Sequence, residues 1–220
     1  MAADSAQYNA LIRGDLLAYL HAHPQSEVVE QQENGIVTAA DRRVYTASPW
    51  YQVYTLTFHD DVWVSRFIDM LANNMTAEAT FLDVGCCNGA TGLALALMGR
   101  NVTFYDYEGL GLSFVRDFIT RHELTAHTSV VPYGESLPHC DMAIALDVLE
   151  HTSSHTAALR WWRELATYVA ISYPLASYRP PYIIHLDEYV DDEAILLVAE
   201  RRYEIIFNEI RNMRRFMVYQ

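Results

Sequence analysis

The stretch that most constrains this chain is residues 81–92, FLDVGCCNGATG, in which an apolar run breaks into a turn of small residues. The helix-forming segment LALALMG follows directly. A strand, a glycine-containing turn and a helix together form the opening unit of a nucleotide-type α/β site. Gly85 and Gly89 lack a Cβ, so a ligand can lie against the backbone, and the helix amides behind them favour an anionic group. The turn therefore predicts a site for an adenosine-containing cofactor.

The residue types within the turn distinguish between cofactors. A dinucleotide fingerprint that begins at Gly85 requires glycine at position 87, where the pyrophosphate contacts the backbone, and this chain has Cys87 there. The stretch also lacks the Lys-Ser/Thr pair of a phosphate-binding P-loop. A cofactor without phosphates, whose carboxylate can meet the helix amides, fits this turn better.

Residues 83–89, DVGCCNG, resemble the first motif of the class I S-adenosylmethionine-dependent methyltransferases, an acid-x-Gly-x-Gly-x-Gly run. Asp83, Gly85 and Gly89 match that motif, and Cys87 replaces its middle glycine. The resemblance implies that the cofactor is S-adenosylmethionine. It also implies which residues of the turn surround this cofactor: Asp83, Gly85, Cys86, Cys87 and Gly89.

A second apolar-rich strand is predicted over residues 101–106, NVTFYD, and it ends in an acid. Asp106 follows Asp83 at close to the spacing, about 20 residues, at which a second-strand acid reaches ribose hydroxyls. A carboxylate can accept two hydrogen bonds from a vicinal diol. By resemblance Asp106 binds the ribose and Tyr107 packs on the adenosine, whereas the alternative interpretation is a solvated acid at the end of a strand.

A third match covers residues 133–151, YGESLPHCDMAIALDVLEH. The continuous apolar run over residues 142–146 is typical of a parallel strand that is buried on both faces. The segment resembles the fourth-strand region of the same family, as found in ubiquinone-biosynthesis O-methyltransferases and small-RNA 3′-end methyltransferases. This resemblance places Glu135 and Ser136 near the adenine, and Asp147 and Val148 on the floor of the cofactor site.

The remaining elements are predicted around these motifs. Helical spacing of apolar residues indicates helices over residues 5–21, 61–71, 157–165 and 190–200. A fifth strand is predicted over residues 168–172 and a hairpin around Asn212. The resemblance implies an α/β fold, a Rossmann-like seven-stranded, mostly parallel sheet with helices on both faces and an antiparallel last strand. Residues 1–60 are expected to form an N-terminal helical cap, including a loop over 25–41, and residues 61–220 the methyltransferase domain, within a single domain overall.

Composition indicates whether the protein acts on a small molecule, a nucleic acid or a membrane. Fifteen basic residues stand against 28 acidic ones, and a net charge of −13 repels phosphate backbones. No apolar run approaches the roughly 20 residues that span a bilayer, and three cysteines fit a reducing cytoplasm. We therefore expect a cytoplasmic protein that acts on a small molecule, with nucleic acid and membrane disfavoured as partners. The sequence is also compatible with a homodimer.

Methyl transfer requires an acceptor held in near-attack geometry, and a base if the acceptor is a hydroxyl. His151 is the predicted base because histidine titrates near neutral pH. If a helix begins at Val148, then Asp147, Glu150 and His151 share one face of it. The alternative is that Glu150 and His151 brace the fold, because this pair recurs in relatives with different acceptors.

A metal-assisted reaction is the minority hypothesis. The small-RNA 3′-end enzymes use a Glu-x-x-Glu-His cluster and a later histidine, and the corresponding residues here are Asp147, Glu150, His151 and His185. Asp147 is one methylene shorter than that glutamate. A His-x-x-Glu-Tyr segment also occurs in methyltransferases that use no metal, so the main prediction includes none.

Aromatic residues crowd two segments that are predicted to cover the acceptor, and aromatic walls suit a planar or partly apolar small molecule. The acceptor-binding candidates are Tyr51, Tyr54, Tyr173, Arg179 and His185. The leading hypothesis is methyl transfer to an oxygen or nitrogen of a small molecule. The alternatives are an RNA 2′-O-methyltransferase, with or without a metal, and a non-catalytic regulatory partner that binds the cofactor; an enzyme of NAD or nucleotide sugars is disfavoured by Cys87.

Overall fold

A computed structural model describes residues 5–23, 48–59, 62–152, 154–175, 195, 204–211 and 214–220. The predicted loop over 25–41 lies outside these residues, as does the predicted helix over 190–200 apart from Ile195. Two acceptor-binding candidates, Arg179 and His185, also lie outside them.

The described part of the chain alternates strands and helices as the sequence predicts. The helices are α1 (Ala6–Ala22), α2 (Pro49–His59), α3 (Val62–Asn74), α4 (Ala90–Leu97), α5 (Leu110–Arg121) and α6 (His155–Leu165). The strands are β1 (Thr80–Val84), β2 (Asn101–Asp106), β3 (Thr128–Pro132), β4 (Cys140–Leu146), β5 (Ala166–Pro174), β6 (Ile205–Arg211) and β7 (Arg214–Tyr219). Within this part of the chain, no helix combines the length and apolar character that crossing a membrane requires.

The seven strands form one sheet in the order β3-β2-β1-β4-β5-β7-β6. β1, β2 and β3 pair in parallel, and β4 pairs in parallel with β5. β7 runs antiparallel to both of its neighbours, β5 and β6. The predicted fold, a Rossmann-like, mostly parallel sheet of seven strands with an antiparallel last strand, is therefore confirmed.

The described residues divide into two compact units, one up to Ser136 and one from Leu137 onward. In the first unit, α1 buries Ile12, Leu16 and Leu20, the apolar stripe that the sequence predicts. α3 buries one face of the helix, and α4 is buried at every position from 90 to 96. A helix that is apolar all round can be stable only inside the core, and α4 therefore forms the centre of this unit.

The second unit is built on β4 and β5, which are buried along most of their length. α6 packs Leu159 and Trp162 into this core. The helix begins two residues earlier than predicted because the Ser154 side chain accepts a hydrogen bond from the Ala157 amide and caps its N-terminus. The domain boundary expected at residue 60 stays a prediction.

Candidate cofactor site

The turn between β1 and α4 adopts a left-handed backbone at each position where the methyltransferase motif has glycine. The φ angles are 62° at Gly85, 52° at Cys87 and 71° at Gly89. A residue with a Cβ adopts this conformation at a cost of about 1–2 kcal/mol. Cys87 therefore preserves the path of the turn and bears a conformational cost that glycine avoids.

Close packing surrounds the same turn. A Cβ at Gly89 would lie 2.5 Å from Cγ2 of Val115, on α5. A Cβ at Gly111, in the first turn of α5, would clash with the carbonyl oxygen of Cys87. The glycines thus let α5 approach the turn, and this approach fixes the position of the Cys87 carbonyl.

Asp83 lies beneath the turn. Its Oδ2 accepts a hydrogen bond from the Gly92 amide at 2.9 Å, and the side chain is buried. Burial raises the pKa of Asp83 to about 7, with a smaller contribution from the charge of Asp106, although the Gly92 hydrogen bond opposes the shift. Asp83 therefore ties β1 to the first turn of α4.

The first turn of α4 differs from the sequence-based expectation. The Gly92 amide donates to Asp83, and the Ala90 amide donates to Oδ1 of Asn88 at 3.1 Å. The sequence predicts that helix amides meet the cofactor carboxylate. The amides of Ala90 and Gly92, however, already donate to side chains of the protein. The sequence could not reveal this, because the partner of an amide depends on how the turn folds back.

Asp106 lies against the turn, as its spacing from Asp83 predicts. Its Oδ2 accepts from the Cys87 amide and its Oδ1 accepts from the Tyr107 amide, each at 2.6 Å. Burial raises the pKa of Asp106, and the two amide donors oppose that shift. Each carboxylate oxygen has two lone pairs, so these amides occupy one acceptor direction on each oxygen.

The adjacent thiols of Cys86 and Cys87 are both free, in the sense that neither forms a disulfide. Burial raises the pKa of the Cys86 thiol well above its usual value and that of the Cys87 thiol to about 12. Only the thiolate is a strong nucleophile. At neutral pH both groups are therefore protonated, and the Cys87 thiol can serve as a hydrogen-bond donor.

Helix α2 contacts the turn through residues that the sequence analysis missed. The Asn88 Nδ2 donates to the Gln52 carbonyl oxygen at 2.8 Å and to the Thr55 hydroxyl oxygen at 2.7 Å. The Cys87 thiol donates to Oε1 of Gln52 at 3.4 Å. An Asn two residues before a helical amide is a local capping signal that could have indicated Asn88. Gln52 and Thr55 carry no such signal, because their partners are more than 30 residues away.

Aromatic side chains meet beyond the ends of β2 and β3. The rings of Tyr107 and Tyr133 lie with their centroids 4.4 Å apart, and the Tyr105 ring lies 5.9 Å from that of Tyr133. Tyr133 is 55% exposed, and the neighbouring adenine candidates Glu135 and Ser136 are exposed as well. The roles predicted for Tyr107, Glu135 and Ser136 stay predictions.

The acceptor-binding candidates within the described residues lie on α2 and in β5. Tyr51 lies on α2 and is largely buried. Tyr54 lies on the same helix, and its side chain is outside what the structure describes. Tyr173 is fully buried in β5, with 0% exposure, because this strand has a neighbour on each side and is covered on both faces. The acceptor-binding role predicted for Tyr173 stays a prediction.

In the second unit, Asp147 connects three strands. Its Oδ1 accepts from the Ser172 hydroxyl at 3.2 Å, and its Oδ2 forms an ion pair with Arg214. The Asp147 backbone is left-handed, with φ 54°, and its amide donates to the Ser172 carbonyl oxygen at 2.9 Å. Asp147 therefore holds together the ends of β4, β5 and β7.

The helix predicted from Val148 is a single 3-10 turn over Leu149–His151. The left-handed Asp147 precedes it and the extended Thr152 ends it. No α-helix forms there, so the condition for Asp147, Glu150 and His151 to share one face of a helix that begins at Val148 is not met. Val148 and His151 are half-buried.

Glu150 is the most buried of the predicted catalytic residues. It is 3% exposed, and its Oε2 has no hydrogen-bond partner within the described part of the chain. Burial raises the pKa of Glu150 to about 8, so the carboxyl is mostly protonated at neutral pH. Among the described residues, which exclude His185, no group of three His, Cys, Asp or Glu side chains is arranged to hold a metal ion.

Comparison with known proteins identifies the family. A sequence profile described as a methyltransferase domain matches residues 59–213. This match covers more than half of the chain, and the chain therefore belongs to the methyltransferase domain family. The family predicted from the three motifs, the class I S-adenosylmethionine-dependent methyltransferases, is thus confirmed, and the cofactor of that family is S-adenosylmethionine. A search of curated proteins found no match.

Solved structures share the fold at low sequence identity. A SAM-dependent methyltransferase from Aquifex aeolicus has a TM-score of 0.58 and 15% identity, with 76% of this chain and 96% of that chain covered. The magnesium protoporphyrin IX methyltransferase ChlM from Synechocystis PCC 6803 with bound SAH has a TM-score of 0.59 and 15% identity, covering 74% and 84%. The glycopeptide N-methyltransferase MtfA has a TM-score of 0.55 and 10% identity, covering 71% and 89%.

Proposed function

We propose that this protein transfers the methyl group of S-adenosylmethionine to an oxygen or nitrogen of a small-molecule acceptor. One observation carries the proposal: the turn of the family motif keeps its left-handed positions at Gly85, Cys87 and Gly89, and the Asp106 carboxylate accepts from the Cys87 amide within it. The family profile includes this whole segment.

The ribose of the cofactor binds Asp106. Each oxygen of that carboxylate accepts one backbone amide and retains a lone pair for a hydroxyl. Two hydroxyls of a vicinal diol can therefore be bound at the same time. Tyr107 and Tyr133 pack together just beyond Asp106, and either ring offers an aromatic surface for the adenine.

In the transfer itself, a lone pair of the acceptor forms a bond to the methyl carbon, and the electrons of the carbon–sulfur bond move to sulfur. The products are S-adenosylhomocysteine and the methylated acceptor, which releases a proton. His151 is our candidate to accept that proton from a hydroxyl. The raised pKa of Glu150 makes it a poor base at neutral pH, so we assign it no proton-accepting role.

A small acceptor is favoured over RNA by the net charge of −13. The neighbours named above act on magnesium protoporphyrin IX and on a glycopeptide, which are both far smaller than a nucleic acid. The metal-assisted alternative loses support because Arg214 already pairs with Asp147. The non-catalytic alternative loses its main argument, because Cys87 leaves the conformation of the turn intact.

Calorimetry with S-adenosylhomocysteine tests the cofactor assignment. We expect saturable binding to the wild type, and a loss of about 1–3 kcal/mol of binding free energy in Asp106→Ala, the cost of unpaired hydrogen-bonding partners. The matched control is Asp117→Asn, which should leave affinity unchanged. Asp117 pairs with Arg121 on the exposed face of α5. Binding of NAD instead of S-adenosylhomocysteine would overturn the assignment, as would equal affinity in Asp106→Ala.

An acceptor panel tests catalysis. With labelled S-adenosylmethionine, the protein should form S-adenosylhomocysteine only in the presence of an acceptor, and His151→Ala should retain cofactor affinity while it loses turnover of hydroxyl acceptors. A His151→Ala protein that fails to fold would support the bracing interpretation of this residue instead.

A further inference from the structure

The side chains of α2 that face the β1–α4 turn have no part in the chemistry described above. Apart from His59, α2 precedes the segment matched by the family profile, which begins at residue 59. We infer that Gln52 and Thr55 are positioning residues that hold Cys87 and Asn88 in the turn and thereby set the affinity for the cofactor. This inference rests on the proposed function, because it concerns the same site.

Several hydrogen bonds join α2 to the turn. Asn88 has two amide hydrogens, and they go to the backbone carbonyl oxygen of Gln52 and to the hydroxyl oxygen of Thr55. The Thr55 hydroxyl in turn donates to the Gln52 carbonyl at 3.0 Å. Gln52 and Asn88 are buried, with 0% and 2% exposure, so water is excluded from the bond between them, whereas Thr55 is half-buried. A buried group that loses its partner bears the full cost of desolvation, and this makes the set sensitive to single changes.

The side chain of Cys87 contacts α2, and glycine, which has no side chain, could not make this contact. Its thiol donates to Oε1 of Gln52 at 3.4 Å and lies 3.7 Å from the Thr55 hydroxyl oxygen. Because the thiol remains protonated, it can act only as the donor toward the amide oxygen of Gln52. The contact with α2 therefore offsets part of the cost of a left-handed residue that carries a Cβ.

Three elements hold three different groups of Cys87. The amide donates to Asp106 at the end of β2, the carbonyl packs against Gly111 of α5, and the thiol binds α2. A loss of the α2 contact lets the residue shift, and the Cys87 amide shifts with it. That amide is one of the two donors that orient the Asp106 carboxylate. Gln52 and Thr55 therefore act on the ribose ligand through Cys87.

The test is the affinity for S-adenosylhomocysteine, measured by calorimetry on the full chain. Gln52→Leu removes, at similar volume, the side-chain oxygen that accepts from the Cys87 thiol, and it keeps the backbone oxygen that accepts from Asn88. Thr55→Val removes the hydroxyl with no change of shape. We expect each to weaken binding about tenfold. The control is Val53→Ala, on the same helix but 36% exposed, which should leave affinity unchanged.

A double-mutant cycle separates positioning from a structural role. Cys87→Ala should weaken binding, Cys87→Ser should restore most of it by returning a donor, and Gln52→Leu added to Cys87→Ala should cause little further loss. Thermal unfolding without the cofactor is measured in parallel. Variants that unfold earlier but bind with wild-type affinity would overturn the inference, and so would losses that simply add. Absence of binding by the wild type would instead contradict the proposed function.

Discussion

At the scale of single residues, two buried acids and the half-buried Asp106 show how burial shapes the site. Asp83, Asp106 and Glu150 all have a raised pKa, and burial is the largest cause for each. The first two accept backbone amides, which favour the charged form. Glu150 has one such hydrogen bond, to its own backbone amide, and its Oε2 has no partner among the residues that the structure describes. The cost of desolvating the charged carboxylate is therefore least compensated in Glu150.

This imbalance predicts how stability depends on pH. The pKa of Glu150 is about 8 in the folded protein against an ordinary value of 4.5. Between those values the folded state binds more protons than the unfolded state, so the free energy of unfolding falls as pH rises. Glu150→Gln cannot ionise and should lose less stability than the wild type between about pH 5 and pH 8.

Urea unfolding of the two proteins across this pH range measures the difference. Asp83, whose pKa is raised to about 7, contributes a slope of the same sign to both proteins and cancels in the comparison. Parallel stability curves for wild type and Glu150→Gln would show that the Glu150 carboxyl is not held in its protonated form.

At the scale of elements, glycines decide how closely the helices approach the turn. Gly111 and Gly14 both lie inside α-helices, where alanine is intrinsically better by about 1 kcal/mol. A Cβ at Gly111 would clash with the backbone of Cys87, whereas a Cβ at Gly14 would meet nothing within 4 Å. The two positions therefore separate helix propensity from packing.

We predict opposite outcomes for the two alanine variants. Gly14→Ala should raise the free energy of unfolding by about 0.5–1 kcal/mol. Gly111→Ala should lower it, because α5 must move away from the turn, and it should weaken S-adenosylhomocysteine binding as well. Denaturant unfolding and calorimetry check both. Stabilisation of both variants would mean that α5 does not press on the Cys87 carbonyl.

The elements also show what the sequence can predict. The second strand was predicted with its observed bounds, residues 101–106, because it is a short apolar run between polar residues and a terminal acid. The helix considered after Asp147 is a single 3-10 turn. The left-handed backbone of Asp147 is held by Ser172 and Arg214, and such distant partners leave no trace in the local pattern.

The same limit applies to the cofactor site. The acid at the end of β2 could be found because a fixed strand–helix–strand spacing brings it to the turn. The contacts of Gln52 and Thr55 could not be found, since any polar face of a helix offers similar groups. Likewise, only tertiary structure shows that Asn88 and Asp83 already use two amides of α4.

At the scale of the whole molecule, the sheet has the composition that the resemblance implies. A parallel sheet whose first strand feeds a glycine-containing turn places the carboxyl ends of neighbouring strands at one edge. The observed order, β3-β2-β1-β4-β5-β7-β6, has the antiparallel β7 that the resemblance implies. The mixed seven-stranded sheet was thus implied by a resemblance that three short segments carry, whereas the acceptor depends on side chains outside them.

The net charge of −13 gives a prediction that separates a small acceptor from RNA. A protein that binds a phosphate backbone does so through released counterions, and its affinity falls steeply as salt is raised. We expect a labelled oligoribonucleotide of about 20 nucleotides to show no binding in fluorescence anisotropy even at low salt, because long-range repulsion acts before any contact forms. A basic RNA-binding domain in the same assay is the control. Saturable binding with a steep salt dependence would favour the RNA acceptor, since a local basic surface must then outweigh the charge of the whole chain.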